Sequence, residues 1–193
     1  MADWEGLIEG GNVVLYPIFL DLDGRRCVVV GGGEVASRKA RKLLQARAGV
    51  VVISPEITTE LESVAVEVHR RPYKEGDLEG AYLVFAATDS REANAAVARE
   101  AKERGIPVTV ADRPRDGDFA LPATLRRGGL QVAVSTGGAS PTLARRIKDR
   151  LEEMFGPEWA GIVEELERDR RRGNKSEERL EREVSRCLSR LSG

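Results

Sequence analysis

Short apolar runs and longer helical patterns alternate along the first 112 residues of this chain. Cys27–Val30, Val50–Ile53, residues 64–69, Ala81–Ala87 (AYLVFAA) and residues 107–111 are runs rich in β-branched side chains, the pattern of strands buried in a sheet. Between them, Val35, Ala36, Ala40, Leu43 and Leu44 recur at helical spacing, and residues 56–63 and 90–104 read as further helical segments. Tyr16–Leu22 and Arg25–Val30 flank Asp23-Gly24, a hairpin signal that predicts an extra strand ahead of the first run. The β/α alternation predicts a mostly parallel sheet with right-handed crossovers. Beyond Asp112 the texture changes. DRPRDGDFALPATLRRGG is rich in turn residues, LQVAVST reads as a strand, and GGASPTLARRIKDRLEEMF as a glycine turn followed by a helix, with Ser140 at the N-cap and Pro141 at the first helical position. From Glu158 onward the chain is amphipathic and charged, broken at Gly173-Asn174, consistent with two helices.

The junction CVVVGGGEVASRKARKLL, Cys27 to Leu44, joins a strand to a glycine turn and then to a helix, which is the order of a dinucleotide site. Gly31, Gly33 and Ala36 fit G-x-G-x-x-G/A: a residue for the tight turn, one that lets a pyrophosphate approach the backbone, and a small one for close helix–strand packing. The helix N-terminus adds free N–H groups and a positive dipole end, so Gly31, Gly33, Glu34 and Val35 are candidate cofactor contacts. Ser54, Pro55, Glu56 and Ile57, after the second strand, are candidates for the adenosine ribose, and Thr88 and Asp89 close the strand after them. A lone match of this motif is weak, and a merely structural turn is its bland alternative; the βαβ context favours the nucleotide reading. An acid that holds the ribose hydroxyls usually follows the second strand directly, whereas Glu56 stands slightly late and leaves NAD versus NADP open. No Arg directly follows that strand to accept a 2′-phosphate, which favours NAD.

A chain of 193 residues can bury a core and suits one domain of usual size with a smaller appendage. It has no 18-residue apolar run, and its opening, MADWEGLIEGG, is acidic and glycine-rich, so a soluble cytoplasmic protein with no membrane association is expected. Cys27 in a central strand and Cys187 in the polar tail read as a core residue and a surface thiol, not a disulfide framework. His69 is the only histidine, and no CxxC motif is present, so no bound metal is expected.

Charge is balanced overall but unevenly placed. Residues 1–112 carry 14 basic and 18 acidic side chains, residues 113–150 carry 8 and 3, and residues 151–193 carry 9 and 11. Arg113, Arg115, Arg126, Arg127, Arg145, Arg146, Lys148 and Arg150 make the middle block a candidate anion-binding surface, with solubility or ion pairing as the bland alternative. Nucleic acid is a poor candidate partner, because Phe119 is the only aromatic residue in that block.

The strings YPIFLDLDGRRCVVVGGGEVASRKARKLL, VVISPEI, LVFAATD, NAAVAREA, VTVAD and VAVSTGGASPTLARRIKDRLE, in this order and spacing, resemble the precorrin-2 dehydrogenase family of siroheme synthesis over about residues 14–160. Members often carry or double as a sirohydrochlorin ferrochelatase. The resemblance implies an α/β fold in three parts: a Rossmann-type NAD-binding domain (1–112), a small α+β domain for dimerisation and substrate binding (113–150), and a helical C-terminal domain (151–193). It implies oxidation of precorrin-2 to sirohydrochlorin in siroheme or cobalamin synthesis, with NAD as hydride acceptor and a homodimer as the working form. Asp112 matches the family's essential aspartate in VTVAD, and the end of a sheet strand is where ligands of open α/β sheets bind. Loss of hydride from a ring carbon must be accompanied by proton loss, which a carboxylate there can accept. Without the resemblance, the lesser alternative is that Asp112 simply initiates an Asp-Arg-Pro turn.

Precorrin-2 bears eight carboxylates, so the basic block and the helix start at Ser140 offer donors of matching sign: Arg113, Ser135, Thr136, Gly137, Gly138 and Ser140 are the candidate substrate contacts. The four pyrrole nitrogens themselves ligate a metal, so Fe²⁺ or Co²⁺ insertion is neither required nor excluded by the shortage of histidines. The chain departs from the family pattern beside the aspartate, where Thr109, Ala111 and Arg113 stand in place of a commoner asparagine and second acid, and at Thr136, where many members have serine. Arg113 could bind a substrate carboxylate or repel a metal cation. A nucleotide-sensing regulatory module would also show a glycine-rich βαβ but would not need Ser135–Gly138 or the basic block. A non-catalytic tetrapyrrole carrier would keep the block and could lose Asp112.

Overall fold

The computed structural model describes residues 15–64 and 67–173, with residues 181, 182, 185, 186 and 189 beyond them. The acidic opening, Cys187 and most of the second tail helix expected after Gly173 lie outside the described residues. Two compact units divide the chain, one spanning Leu15–Ala120 and the other containing the residues from Leu121 onward.

In the first unit, β1 (Arg26–Val30), β2 (Gly49–Ile53), β3 (Glu67–His69), β4 (Leu83–Ala86) and β5 (Val108–Val110) form one parallel sheet in the order β3-β2-β1-β4-β5. Helices α1 (Glu34–Gln45), α2 (Thr59–Val64) and α3 (Arg91–Glu103) connect them. The strand order reverses between β1 and β4, which places the ligand crevice of such sheets at the carboxyl ends of these two strands. Alternation along each strand splits the core in two. Cys27, Val29, Val50, Val52 and Phe85 face Ala36, Ala40 and Leu43 of α1, while Val28, Val30, Ile53, Val84 and Ala86 face Val97, Ala98 and Ala101 of α3. Burial pushes the Cys27 thiol up to about 11, against a hydrogen bond with the Leu83 backbone that acts the other way, so it is an inert core residue.

The expected strand at Tyr16–Leu22 is absent. β1 already pairs with β2 on one edge and β4 on the other, so no edge remains for a hairpin partner. Asp23-Gly24 does turn, with Arg25 N–H donating to Leu22 O at 2.9 Å, but Gly24 N–H reaches Arg47 O after α1 rather than a paired strand. Between β3 and β4 the chain makes no helix. There Arg71 grips Asp77 through two hydrogen bonds of 2.7 Å, and Leu78 is fully buried. After β5, Asp118 returns along the outer strand: its N–H donates to Val108 O at 2.8 Å and its carboxylate accepts from Val108 N–H at 3.0 Å. Phe119 then packs edge-on against Phe85 at 5.7 Å, so the unit runs on past Asp112 to Ala120.

The second unit contains a hairpin of β6 (Ala123–Arg127) and β7 (Leu130–Val134), with α4 (Pro141–Met154) and α5 (Glu158–Arg171). β6 lies inside the stretch whose composition reads as turn. Its partner register passes through Gly128-Gly129, with Gly128 at φ +57°, the conformation that a two-residue hairpin favours. α4 continues through residue 150, where the third part was expected to begin. Its C-terminal carbonyl at Phe155 accepts from Arg127 Nε at 2.9 Å, tying the helix end to β6.

Candidate functional site

At the switch point the glycine turn and three strand ends surround a cleft of about 1100 Å³, at the upper end of the roughly 300–1,000 Å³ usual for ligand pockets. Gly31 has φ +129°, and a Cβ there would lie 2.2 Å from Ala87 O; at Gly32 a Cβ would lie 1.7 Å from Glu56 O. These two glycines are therefore demanded by protein neighbours. Gly33 is different: a Cβ there would meet nothing within 4 Å. It is the N-cap of α1, has extended dihedrals, and gives the helix no side-chain cap. The first-turn N–H groups thus stay open for an anion, with space left for it to approach the backbone. The residues present fit a dinucleotide pyrophosphate.

The loop after β2 is held against this turn. Thr58 N–H donates to Gly32 O at 3.0 Å, its hydroxyl lies 2.9 Å from the Ser37 hydroxyl, and the same oxygen accepts from Leu61 N–H, starting α2. Ser54 is buried and Glu56 exposed. On the opposite side Pro72 and Tyr73 line the cleft. The Tyr73 hydroxyl donates to Glu100, a buried acid that also accepts from Gly76 N–H and from Arg104 Nε at 2.8 Å. Burial, then the Glu100 hydrogen bond and charge, push the Tyr73 phenol well above its ordinary value, so it stays protonated.

Asp112 stands at the end of β5 on the cleft rim, its side chain 36% exposed. It accepts from Asn94 Nδ2 at 2.7 Å and from Arg91 at 3.3 Å, and Arg91 also reaches Asp116 at 3.8 Å. Among the described residues no lysine or arginine lines the cleft, whereas Glu34, Glu56, Asp89 and Asp112 do.

Gly31, Gly33, Glu34, Val35, Ser54, Pro55, Glu56, Ile57, Thr88, Asp89 and Asp112 all line this one cleft. Arg113, next to Asp112, is exposed and does not line it. Ser135, Thr136, Gly137, Gly138 and Ser140 lie together on the turn before α4. Thr136 Oγ1 accepts from Ser140 N–H at 3.0 Å and donates to Ser140 O at 3.1 Å; Ser140 Oγ accepts from Leu143 N–H at 3.1 Å. Sequence reasoning missed Asn94, Arg91, Thr58 and Tyr73. For Asn94 a signal existed: residues 94, 97, 98 and 101 form the buried stripe of α3, and an amide on such a stripe needs an internal partner. No group of three His, Cys, Asp or Glu side chains that could hold a metal occurs among the described residues. None of the described helices is long and apolar enough to cross a membrane.

A family model described as "Putative NAD(P)-binding" matches residues 18–123, and one described as "Sirohaem biosynthesis protein central" matches residues 127–154. A siroheme synthase of Methylobacillus flagellatus is 46% identical over 143 residues, 72% of this chain and 31% of that one. A siroheme synthase of Methylococcus capsulatus is 44% identical over 159 residues, 80% of this chain and 33% of that one. The chain therefore spans about a third of the length of these relatives. The solved structure of "SirC, precorrin-2 dehydrogenase" superposes with a TM-score of 0.69 at 32% identity, covering 81% of this chain and 79% of that one. A dinucleotide-binding model matched over more than half the chain, and a relative covered over most of its own length, place this protein in the NAD(P)-binding precorrin-2 dehydrogenase family.

Proposed function

We propose that this chain oxidises precorrin-2 to sirohydrochlorin, with NAD as the acceptor and Asp112 as general base. The observation that carries this reading is a carboxylate at the end of β5, on the rim of the cleft that the uncapped glycine turn also lines. NAD⁺ bound in this cleft would supply the hydride acceptor. The remaining hydrogen leaves as a proton, and Asp112 takes it on a carboxylate oxygen. Asn94 and Arg91 donate to that carboxylate and hold it at the cleft rim. The first turn of α1 would hold the pyrophosphate by backbone N–H groups, and Ser54–Ile57 would flank the adenosine ribose. A cleft lined by four acids and, among the described residues, by no lysine or arginine disfavours a 2′-phosphate, which supports NAD over NADP. Substrate carboxylates are assigned to Arg113 and to the turn Ser135–Ser140.

The test is Asp112→Asn, which keeps the shape and removes the proton acceptor. Turnover of precorrin-2 should fall by about 10²–10⁴, with melting temperature and NADH affinity nearly unchanged; turnover within a few-fold of the parent would sink the assignment. In parallel titrations NADH should bind more tightly than NADPH, and the reverse order would overturn the ribose assignment. The chain is further proposed to act in the cytoplasm as a homodimer through about residues 113–150, because the second unit buries few large side chains. Light scattering that finds an active monomer at all concentrations would dismiss the dimer, and fractionation that recovers the protein outside the cytoplasm would dismiss that compartment.

A further inference from the structure

Asn94 is 1% exposed, yet it sits on α3 among Val97, Ala98 and Ala101, where an apolar residue would satisfy the packing. Its amide is fully committed. Oδ1 accepts from Thr88 N–H at 3.0 Å and from the Thr88 hydroxyl at 2.8 Å; Nδ2 donates to Thr88 O at 3.0 Å and to Asp112 Oδ1 at 2.7 Å. The orientation is forced by chemistry, because a backbone N–H can only donate and must therefore face Oδ1. The amide nitrogen is left facing two acceptors, and one of them is Asp112. Thr88 follows β4 and Asp112 follows β5, each two residues past the strand, and Asn94 joins these two segments.

We infer that Asn94 is a positioning residue for Asp112: it fixes Oδ1 at the helix at 2.7 Å, and Oδ2, held only by the longer 3.3 Å contact from the exposed Arg91, is the oxygen that takes the substrate proton. This rests on the reading of Asp112 as the base. A helix–loop brace alone would need only the three bonds to Thr88; the fourth bond has no such use. The charged groups at this end of the sheet include Glu34 on α1, Glu56 after β2, Asp89 after β4, Arg91 on α3, and Arg113 and Asp116 after β5. Of these, Arg91 is the one within ion-pair distance of the Asp112 carboxylate among the described residues.

Asn94→Asp is the discriminating variant, since it is nearly isosteric and still accepts both Thr88 donors. It replaces the donor to Asp112 by a second buried carboxylate, and two adjacent carboxylates share one proton. The expected result is a kcat for precorrin-2 at least tenfold lower at pH 7, with the NADH Kd within threefold of the parent. The acidic limb of the pH–rate profile should move upward, so that raising the pH restores part of the loss, a response that a mere packing defect does not give. If Asn94→Asp does not fold, Asn94→Ser, which keeps a hydroxyl for Thr88 N–H, should show the same split between kcat and NADH affinity. An unchanged kcat and pH limb in a folded variant, beside an inactive Asp112→Asn, would overturn the inference and leave the base intact. An active Asp112→Asn would instead overturn the reading on which it rests.

Discussion

Two glycine turns in this chain each lead into a helix, and they satisfy that helix in opposite ways. Before α1, Gly33 provides no side-chain cap, and the loop after β2 bonds to the turn through Gly32. Before α4, Ser140 caps Leu143 N–H and Thr136 bonds both to the N–H and to the C=O of Ser140. Every helix start leaves about four N–H groups without an intrahelical partner. At α1 no side chain of the cap residue meets them, whereas at α4 the chain begins to satisfy them itself. The glycines differ as well: Gly31 and Gly32 of the first turn are fixed by close backbone neighbours, while Gly137 and Gly138 have φ of +62° and +87° with open space around them. Similar strings, GGGEVA and STGGASP, thus encode a cradle in one case and a self-bonded corner in the other.

The sharpest way to break this comparison is within the first turn, where Gly32 and Gly33 should respond oppositely to the same methyl group. Gly32→Ala puts a Cβ into the Glu56 carbonyl, which is backbone and cannot swing aside, so the loop Ser54–Thr58 must shift. Overpacking of this kind costs about 3 kcal/mol, which lowers the melting temperature by roughly 6–12 °C in a protein of this size. An unchanged melt would show that the loop is not packed as described.

Gly33→Ala should leave the melt within about 2 °C, since its dihedrals suit alanine and its Cβ meets nothing. The methyl occupies the approach to the helix N-terminus, so NADH affinity should fall at least tenfold, or about 1.4 kcal/mol. Calorimetric titration of the folded variant reads this directly. Parent-like affinity would mean that the pyrophosphate sits elsewhere.

The parallel sheet was legible because fully buried strands such as Val28–Val30 and Val50–Ile53 must read as unbroken apolar runs. The cleft was legible because a dinucleotide turn constrains residue type by sterics at fixed spacing. What stayed hidden depended on neighbours distant in sequence. Tyr16–Leu22 has strand composition, but the edges of β1 were taken by β2 and β4, which no local pattern reveals. β6 was masked by the surrounding Pro, Gly and Asp, although its alternation across Gly128-Gly129 matches that of β7. Asn94 looked like any polar helix residue until its partners at Thr88 and Asp112 were in view.

The second turn gives the finest test, because Ser140 is both a helix cap and a proposed substrate contact. If its hydroxyl serves only Leu143 N–H, Ser140→Ala removes a cap worth about 1 kcal/mol, and the melt of the protein should fall by roughly 2–4 °C. The KM for precorrin-2 should then stay at the parental value. If the hydroxyl also meets a substrate carboxylate, KM rises several-fold, while Ser140→Thr, which keeps both the cap and the donor, stays close to the parent in KM and in melt. The committed geometry, with Ser140 Oγ 3.1 Å from Leu143 N and its N–H and C=O both bonded to Thr136, favours a framework role for the side chain. Substrate binding at this corner would then fall to backbone N–H groups, and a KM that moves with Gly138→Ala but not with Ser140→Ala is the outcome expected of a self-bonded corner.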